Sequence, residues 1–159
     1  MKEHKFVYKI YIDTSPKKLR NALTVPAKTK KWWHVSFKTD WQVGSTMDVK
    51  QTGVTIVDPE QVILESSPHR RLAYTWHTST REWATVNGLS DDFLAKVAAE
   101  KRSHVSFDIE RVNGVVRLTV VHGGFETNST VLDNVSEGWP PLLSSLKTLL
   151  ETGEPLAYH

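Results

Sequence analysis

Seven histidines and six tryptophans are the side chains of this 159-residue chain best suited to chemistry or recognition. His122 comes first among them. Alternation through residues 115–122 sets it on one face with Val116, Leu118 and Val120, at a strand end beside Gly123-Gly124. An imidazole so placed can anchor a ligand's carboxylate or hydroxyl. It can also act as a general acid or base, because it titrates near neutrality, with Tyr74 or Glu126 as assistants. A third role is purely structural, a hydrogen-bonded histidine that holds the strand end. His34 follows a tryptophan pair, and alternation assigns His77 to the opposite face of its strand. No histidine pair has the i, i+4 spacing of a helical metal site, and convergence would need residues from differently facing elements, so no metal is expected.

Other chemistries are excluded by residue type. Cysteine is absent, which removes disulfides, thiolate nucleophiles and sulfur-ligated zinc. The chain has no Gly-x-Ser-x-Gly nucleophile turn, and Gly123-Gly124 lacks the strand-to-helix context of a phosphate-cradling loop. No cofactor is expected.

The tryptophans point to an apolar site. Burying one large aromatic removes about 150–250 Å² from water, very roughly 4–6 kcal/mol by area. Trp33, Trp41, Tyr74, Trp76 and Trp139, with Phe107, Leu118, Leu143 and His122, are the candidate lining of a cavity with few polar anchors. The alternative for each is an ordinary packed core.

The elements that must position these residues can be read along the chain. Phe6, Tyr8, Ile10 and Ile12 share one face of a half-buried strand. Asp13-Thr14-Ser15-Pro16 opens a short helix to Thr24, which Val25-Pro26 stops, and a second short helix carries Ala27 to Trp33. Residues 34–45 read as an irregular connection. Strands are expected over 46–50, 54–57, 61–65 and 71–78, the first two flanking Gln51-Thr52-Gly53. Ser90-Asp91-Asp92 caps an inserted helix near residues 90–100. A hairpin then spans 104–111 and 115–122, turning at Asn113-Gly114. Finally Leu132, Val135, Trp139, Leu142, Leu143, Leu146, Leu149 and Leu150 recur at helical spacing until Gly153-Glu154-Pro155. Pro140-Pro141 predicts a kink or a fresh start near Gly138. The order is one strand, two helices, further strands to a total of about six, and a long C-terminal helix, an α+β pattern with one antiparallel sheet.

Size and charge bound the rest. One domain over residues 1–159 is expected, burying roughly 70% of its unfolded surface. Formal charge is +2, and the only basic clusters are Lys28 to Lys31 and His69-Arg70-Arg71, so nucleic acid is not expected as a partner. Met1-Lys2-Glu3-His4-Lys5 begins no apolar signal core, and no stretch reaches membrane-spanning length, so neither a membrane partner nor export is expected and the cytoplasm is the expected compartment.

Several words of the sequence resemble one family when taken together. They are Ser15-Pro16-Lys17-Lys18-Leu19, Ala22-Leu23-Thr24, Pro26 and Trp32-Trp33; then Val43-Gly44, Leu64-Glu65, Pro68, Arg71-Leu72 and Tyr74-Thr75-Trp76. Leu118 to Gly124 follows, and then Gly138-Trp139, Leu143, Leu146-Lys147 and Leu150 to Gly153. The set resembles the Aha1-like branch of the START/Bet v 1 superfamily over nearly the whole chain. The resemblance implies a helix-grip fold, in which a curved antiparallel sheet of about six strands wraps a long C-terminal helix around an apolar cavity. Arg20, Val25 and His69 depart from the family pattern, which usually has an aromatic, an acidic residue and a proline there. Residues 79–101 look longer than usual and would border the cavity mouth.

The resemblance implies binding of a small hydrophobic or amphipathic ligand, in a stress or regulatory role. Its alternative is a cofactor-free acid–base enzyme of cyclase, dehydratase or hydrolase type, with His122 as proton shuttle. Stimulation of the Hsp90 ATPase ranks below both, because the chain has no room for a further N-terminal domain. A homodimer is left open.

Overall fold

A computed structural model of the chain describes residues 4–156. Met1 to Glu3, the head of the segment read above as lacking a signal core, lie outside the described residues. β1 (His4–Ile12) alternates as the pattern requires from Lys5 onward, with Lys5, Val7, Lys9 and Tyr11 exposed. Ser15 caps α1 (Pro16–Thr24), its hydroxyl accepting from the Lys18 amide at 3.2 Å. Pro26 ends that helix and opens α2 (Pro26–Trp33), which closes on His34 in the left-handed region at φ 61°.

The strands number eight among the described residues, against about six expected. β2 (Val35–Lys38), β3 (Asp48–Gln51) and β4 (Val54–Ile56) form one antiparallel sheet in the order β2-β3-β4. β5 (Ile63–Ser67), β6 (Arg71–Thr75), β7 (His104–Val112) and β8 (Val115–Phe125) join β1 in a second, ordered β1-β8-β7-β6-β5. β2 corrects the expectation of an irregular connection over residues 34–45. Its four residues hold one alternation, Val35 and Phe37 buried, which is too short to register as a period. Residues 44–47 stitch the two sheets together: the Gly44 amide donates to Ile63 O at 2.8 Å, Ile63 N to Ser45 O at 3.0 Å and Met47 N to Gln61 O at 2.9 Å.

The clearest hairpin forms as the sequence predicts. β7 and β8 pair from His104 with Gly123 to Val112 with Val115, and Asn113 and Gly114 turn the chain at φ 49° and 86°. Between β6 and β7 the chain inserts α3 (Arg81–Val86) and α4 (Asp91–Ala98), capped by Thr80 and Ser90. Only the second was expected; α3 has six residues, fewer than two helical turns, and carries little periodic signal.

The C-terminal helix α5 (Thr130–Thr152) runs as one element through Pro140 and Pro141, so of the kink or fresh start expected near Gly138 the fresh start is not found. Proline at these positions withdraws hydrogen bonds from the Ser136 and Glu137 carbonyls. Glu137 is exposed and Ser136 partly so, so water can serve them. Val135, Trp139, Leu143, Leu146 and Leu149 of α5 are buried in the core with Leu72, Tyr74, Val105, Phe107, Leu118 and Val120 of the sheet. No helix of the described residues is long and apolar enough to cross a membrane.

Candidate functional site

The packing of α5 on the sheet is tight toward its C-terminal end and open toward its N-terminal half. There, a cavity of about 480 Å³ lies against Tyr74 and Trp76, the three-stranded sheet and α5. Val35, Phe37, Val49 and Gln51 come from β2 and β3, and Val131, Asn134, Val135, Gly138, Trp139 and Leu142 from α5. The inserted segment supplies the remaining side through Trp83, Phe93, Val97, Glu100 and Arg102. Exposed Glu60, Thr78, Ala98 and Lys101 stand at its rim, so the cavity opens to solvent.

Its floor is aromatic. Trp33, Trp76 and Trp139 form a triangle with ring centroids 6.0, 5.3 and 5.6 Å apart, inside the range of favourable ring contact. Trp33 is held by its place at the end of α2, stacked at 5.0 Å on Trp32, whose indole N–H donates to Ala22 O at 2.8 Å. Phe37 meets Trp33 edge-on at 5.3 Å and Tyr74 at 5.7 Å. Tyr74 is buried, and desolvation pushes its hydroxyl well above the ordinary phenol range, so it stays neutral.

The nine candidate residues divide into two groups. Trp33, Tyr74, Trp76 and Trp139 lie in the cavity wall. Phe107, Leu118, His122 and Leu143 sit behind it with no exposure, and the wall does not include them. Trp41 lies outside the wall as well, half-buried and 5.9 Å from Phe37. Alternation identifies the inward face but not depth. Positions close to the middle of the helix–sheet contact pack, and positions near the inserted segment face space.

His122 is fully engaged by protein. The indole N–H of Trp139 donates to its Nδ1 at 3.1 Å, and an indole has no acceptor to offer in return. Nδ1 must therefore be the unprotonated nitrogen. The proton sits on Nε2, which donates to the buried Ser103 Oγ at 2.9 Å. Burial, helped by the nearby His104 and His77, lowers its pKa to about 3, so the ring is neutral across the physiological range.

His77 presents the opposite case. Alternation put it on the outer face, but β6 ends at Thr75, and beyond that point the chain turns His77 into the cavity wall. Its ring packs between Trp76 at 5.2 Å and Trp83 at 5.4 Å. Nδ1 donates to Thr78 O at 2.8 Å, because a carbonyl can only accept, and this leaves the Nε2 lone pair without a partner among the described residues. Desolvation and the Arg102 charge hold His77 below the ordinary imidazole range, while the bond to Thr78 acts in the opposite sense.

The inserted segment is fastened to both sides of the cavity. Trp83 Nε1 donates to Gln51 Oε1 at 3.0 Å. Arg102 donates to Trp76 O at 2.8 Å and pairs with Asp58 at 2.5 Å. Glu100 closes the other end: its carboxylate accepts from the Thr130 and Val131 amides at 2.9 and 3.2 Å and from the Ser129 hydroxyl, at the start of α5. A carboxylate there meets both unpaired amides and the positive helix end. Gln51, Gln61, Trp83, Glu100 and Arg102 were not singled out from sequence. Gln61 carried a legible signal, a polar residue two positions before Ile63 on the inward alternation. The others owe their place to loop paths that no periodicity encodes. Among the described residues no group of three or more histidine and acidic side chains is arranged to hold a metal.

Two antiparallel sheets, where the sequence pattern suggested one, stitched together through residues 44–47 and closed by a long C-terminal helix with a cavity left between, define a helix-grip domain of the Bet v 1/SRPBCC type. The family model described as "Activator of Hsp90 ATPase homolog 1-like protein" matches residues 13–151, and the chain belongs to that family. Among solved structures it is similar to protein MLL2253 of Mesorhizobium loti, at 22% identity and a TM-score of 0.72, over 92% of this chain and 96% of that one. The Aha1 dimer from Colwellia psychrerythraea aligns with a TM-score of 0.68 at 21% identity, over 94% and 98% of the two chains. CalU16 from Micromonospora echinospora aligns at 0.67 and 18%, over 98% of this chain and 78% of its own. These are likenesses of fold. No curated protein matches the chain.

Proposed function

We propose that the chain binds a small hydrophobic or amphipathic molecule in the cavity between sheet and α5. The observation that carries this reading is the cavity itself, about 480 Å³ of space walled by four tryptophans, three of them in mutual ring contact, and open at one rim. A folded interior ordinarily packs to crystal density, and spaces of this size are typical of ligand sites. The test is native mass spectrometry of freshly purified protein against its denatured mass, with tryptophan fluorescence titrations of apolar probes. A copurifying small molecule or saturable quenching is the expected result. A single native mass equal to the denatured one, with no saturable response to any probe, would overturn the reading.

A second reading, cofactor-free acid–base chemistry in the same cavity, is favoured by one observation: the neutral His77 ring in the wall with an unoccupied Nε2. The geometry argues for His77 over His122 in that role, since both nitrogens of His122 are already bonded. Turnover that is lost in His77→Gln and kept in His122→Gln would support it. The Colwellia relative is described as a dimer, and a homodimer is the corresponding proposal here, to be read by light scattering.

A further inference from the structure

Depth and access coincide at His77. Desolvation is the foremost influence on its ring, which marks an imidazole closely surrounded by protein. The residue is nevertheless only half-buried, and it lines the cavity between Trp76 and Trp83, two further wall residues. A ring held that deep keeps its surface toward internal space. The free nitrogen shares that surface. Among the described residues, the side-chain atoms with less than 1 Å² accessible and no hydrogen bond are Thr14 Oγ1, Arg20 Nη1 and Gln61 Oε1. His77 Nε2 also has no hydrogen-bond partner, yet it is not one of these, so it is open to contact. With the proton of the neutral ring fixed on Nδ1 by Thr78 O, Nε2 can only accept.

The surroundings narrow the donor. Several other polar side chains of the wall are spent within the protein: Gln51 Oε1 accepts from the Trp83 indole, Gln61 Nε2 donates to Thr75 O, and Ser103 Oγ is bonded to His122. The wall's charged residues are Glu60, Glu100, Lys101 and Arg102, two of each sign. Arg102 is committed to Trp76 O and Asp58, Glu100 to the start of α5, and Glu60 and Lys101 are exposed at the rim. That balance favours neither sign of ligand, and the neutral acceptor at His77 asks for a neutral O–H or N–H. The flanking indoles favour an aromatic body to carry it, since their faces pack well against another ring.

We propose that His77 is the polar anchor of this cavity, its Nε2 accepting a hydrogen bond from the hydroxyl or N–H of a neutral aromatic ligand held against Trp76 and Trp83. The proposal rests on the ligand-binding reading above and names the group that such a ligand must carry. It needs no turnover, so it stands apart from the acid–base reading. A hydroxyl gives up hydration on entering an apolar space, and without an acceptor there it binds less well than a methyl group of the same size. The contrast between the two groups therefore reports the acceptor.

The experiment titrates two probes of nearly equal shape, 2-naphthol and 2-methylnaphthalene, into the full chain and into His77→Phe, with affinities from tryptophan fluorescence. Phenylalanine keeps a ring beside Trp76 and Trp83 and removes the acceptor. The affinity for 2-naphthol relative to 2-methylnaphthalene should fall at least about fivefold in the variant, with 2-methylnaphthalene binding retained. A merely structural role for His77 would weaken both probes alike. His77→Met, judged by the same ratio, replaces the phenylalanine variant if that chain does not fold. A smaller change in the ratio overturns the proposal and leaves the cavity reading standing. Binding of neither probe by the wild-type chain overturns the proposal as well, and the native mass then decides the cavity reading on its own.

Discussion

The indole N–H of Trp139 donates to Nδ1 of His122 across 3.1 Å, joining the grip helix to the last strand of the sheet behind the cavity floor. This bond fixes the tautomer of the histidine and turns a residue suited to catalysis into a structural one. Protonating His122 would place a second N–H against the indole, so acid breaks the bond that neutrality keeps.

Stability should therefore fall below the ordinary imidazole pKa. The unfolded chain takes up a proton on His122 near pH 6.5, whereas the folded chain does so only near its lowered pKa of about 3. The stabilisation is complete above about pH 6.5 and is lost progressively down to about pH 3, at about 1.4 kcal/mol per pH unit. Urea unfolding at pH 7, 6 and 5 reads this slope, and His122→Phe should flatten it by about one proton.

Trp139→Phe keeps a ring in the floor but deletes the donor, leaving His122 Nδ1 buried and unmatched. A loss of about 2–3 kcal/mol is expected, measured by chemical denaturation. A loss below about 0.5 kcal/mol would show that water or a rearranged donor replaces the indole.

Gly138 faces the cavity from within α5, and a Cβ built on it meets nothing within 4 Å. Gly138→Ala should raise stability by about 0.5–1 kcal/mol through helix propensity alone. Gly138→Phe puts a ring where the ligand would lie, and probe affinity should drop by at least about tenfold while the melting temperature is kept.

Glu100 ties the inserted segment to the first turn of α5 through the Ser129 hydroxyl and two amides. Glu100→Ala should cost about 1 kcal/mol, in the manner of a lost helix cap. Hydrogen exchange gives the more specific readout: amides of α4 and of residues 130–133 should exchange faster, with β7 and β8 unchanged.

The sequence alone determined the fold class. Alternation in β1, β7 and β8, the turn at Asn113-Gly114, and the leucine-rich repeat of α5 are local patterns, each repeated often enough to stand above chance. With the alternation over residues 71–78 they put Tyr74 and Trp76 on one strand face and Trp139 on the apolar face of α5, while Trp33 was a candidate by residue type and the grip of the helix on the sheet was implied by the family resemblance. Short elements were illegible for the converse reason, since β2 and α3, of four and six residues, hold no more than about two periods each. Only the tertiary structure decided which inward residues meet space and which meet other atoms. Leu118 and Val120 share a face and a strand with His122, and all three are packed, while Gln61 and His77 reach the wall where regular strand geometry ends. Periodicity reports the direction of a side chain. What stands opposite it depends on how far the helix, the two sheets and the inserted segment approach one another, and that distance is set by the packing of distant residues.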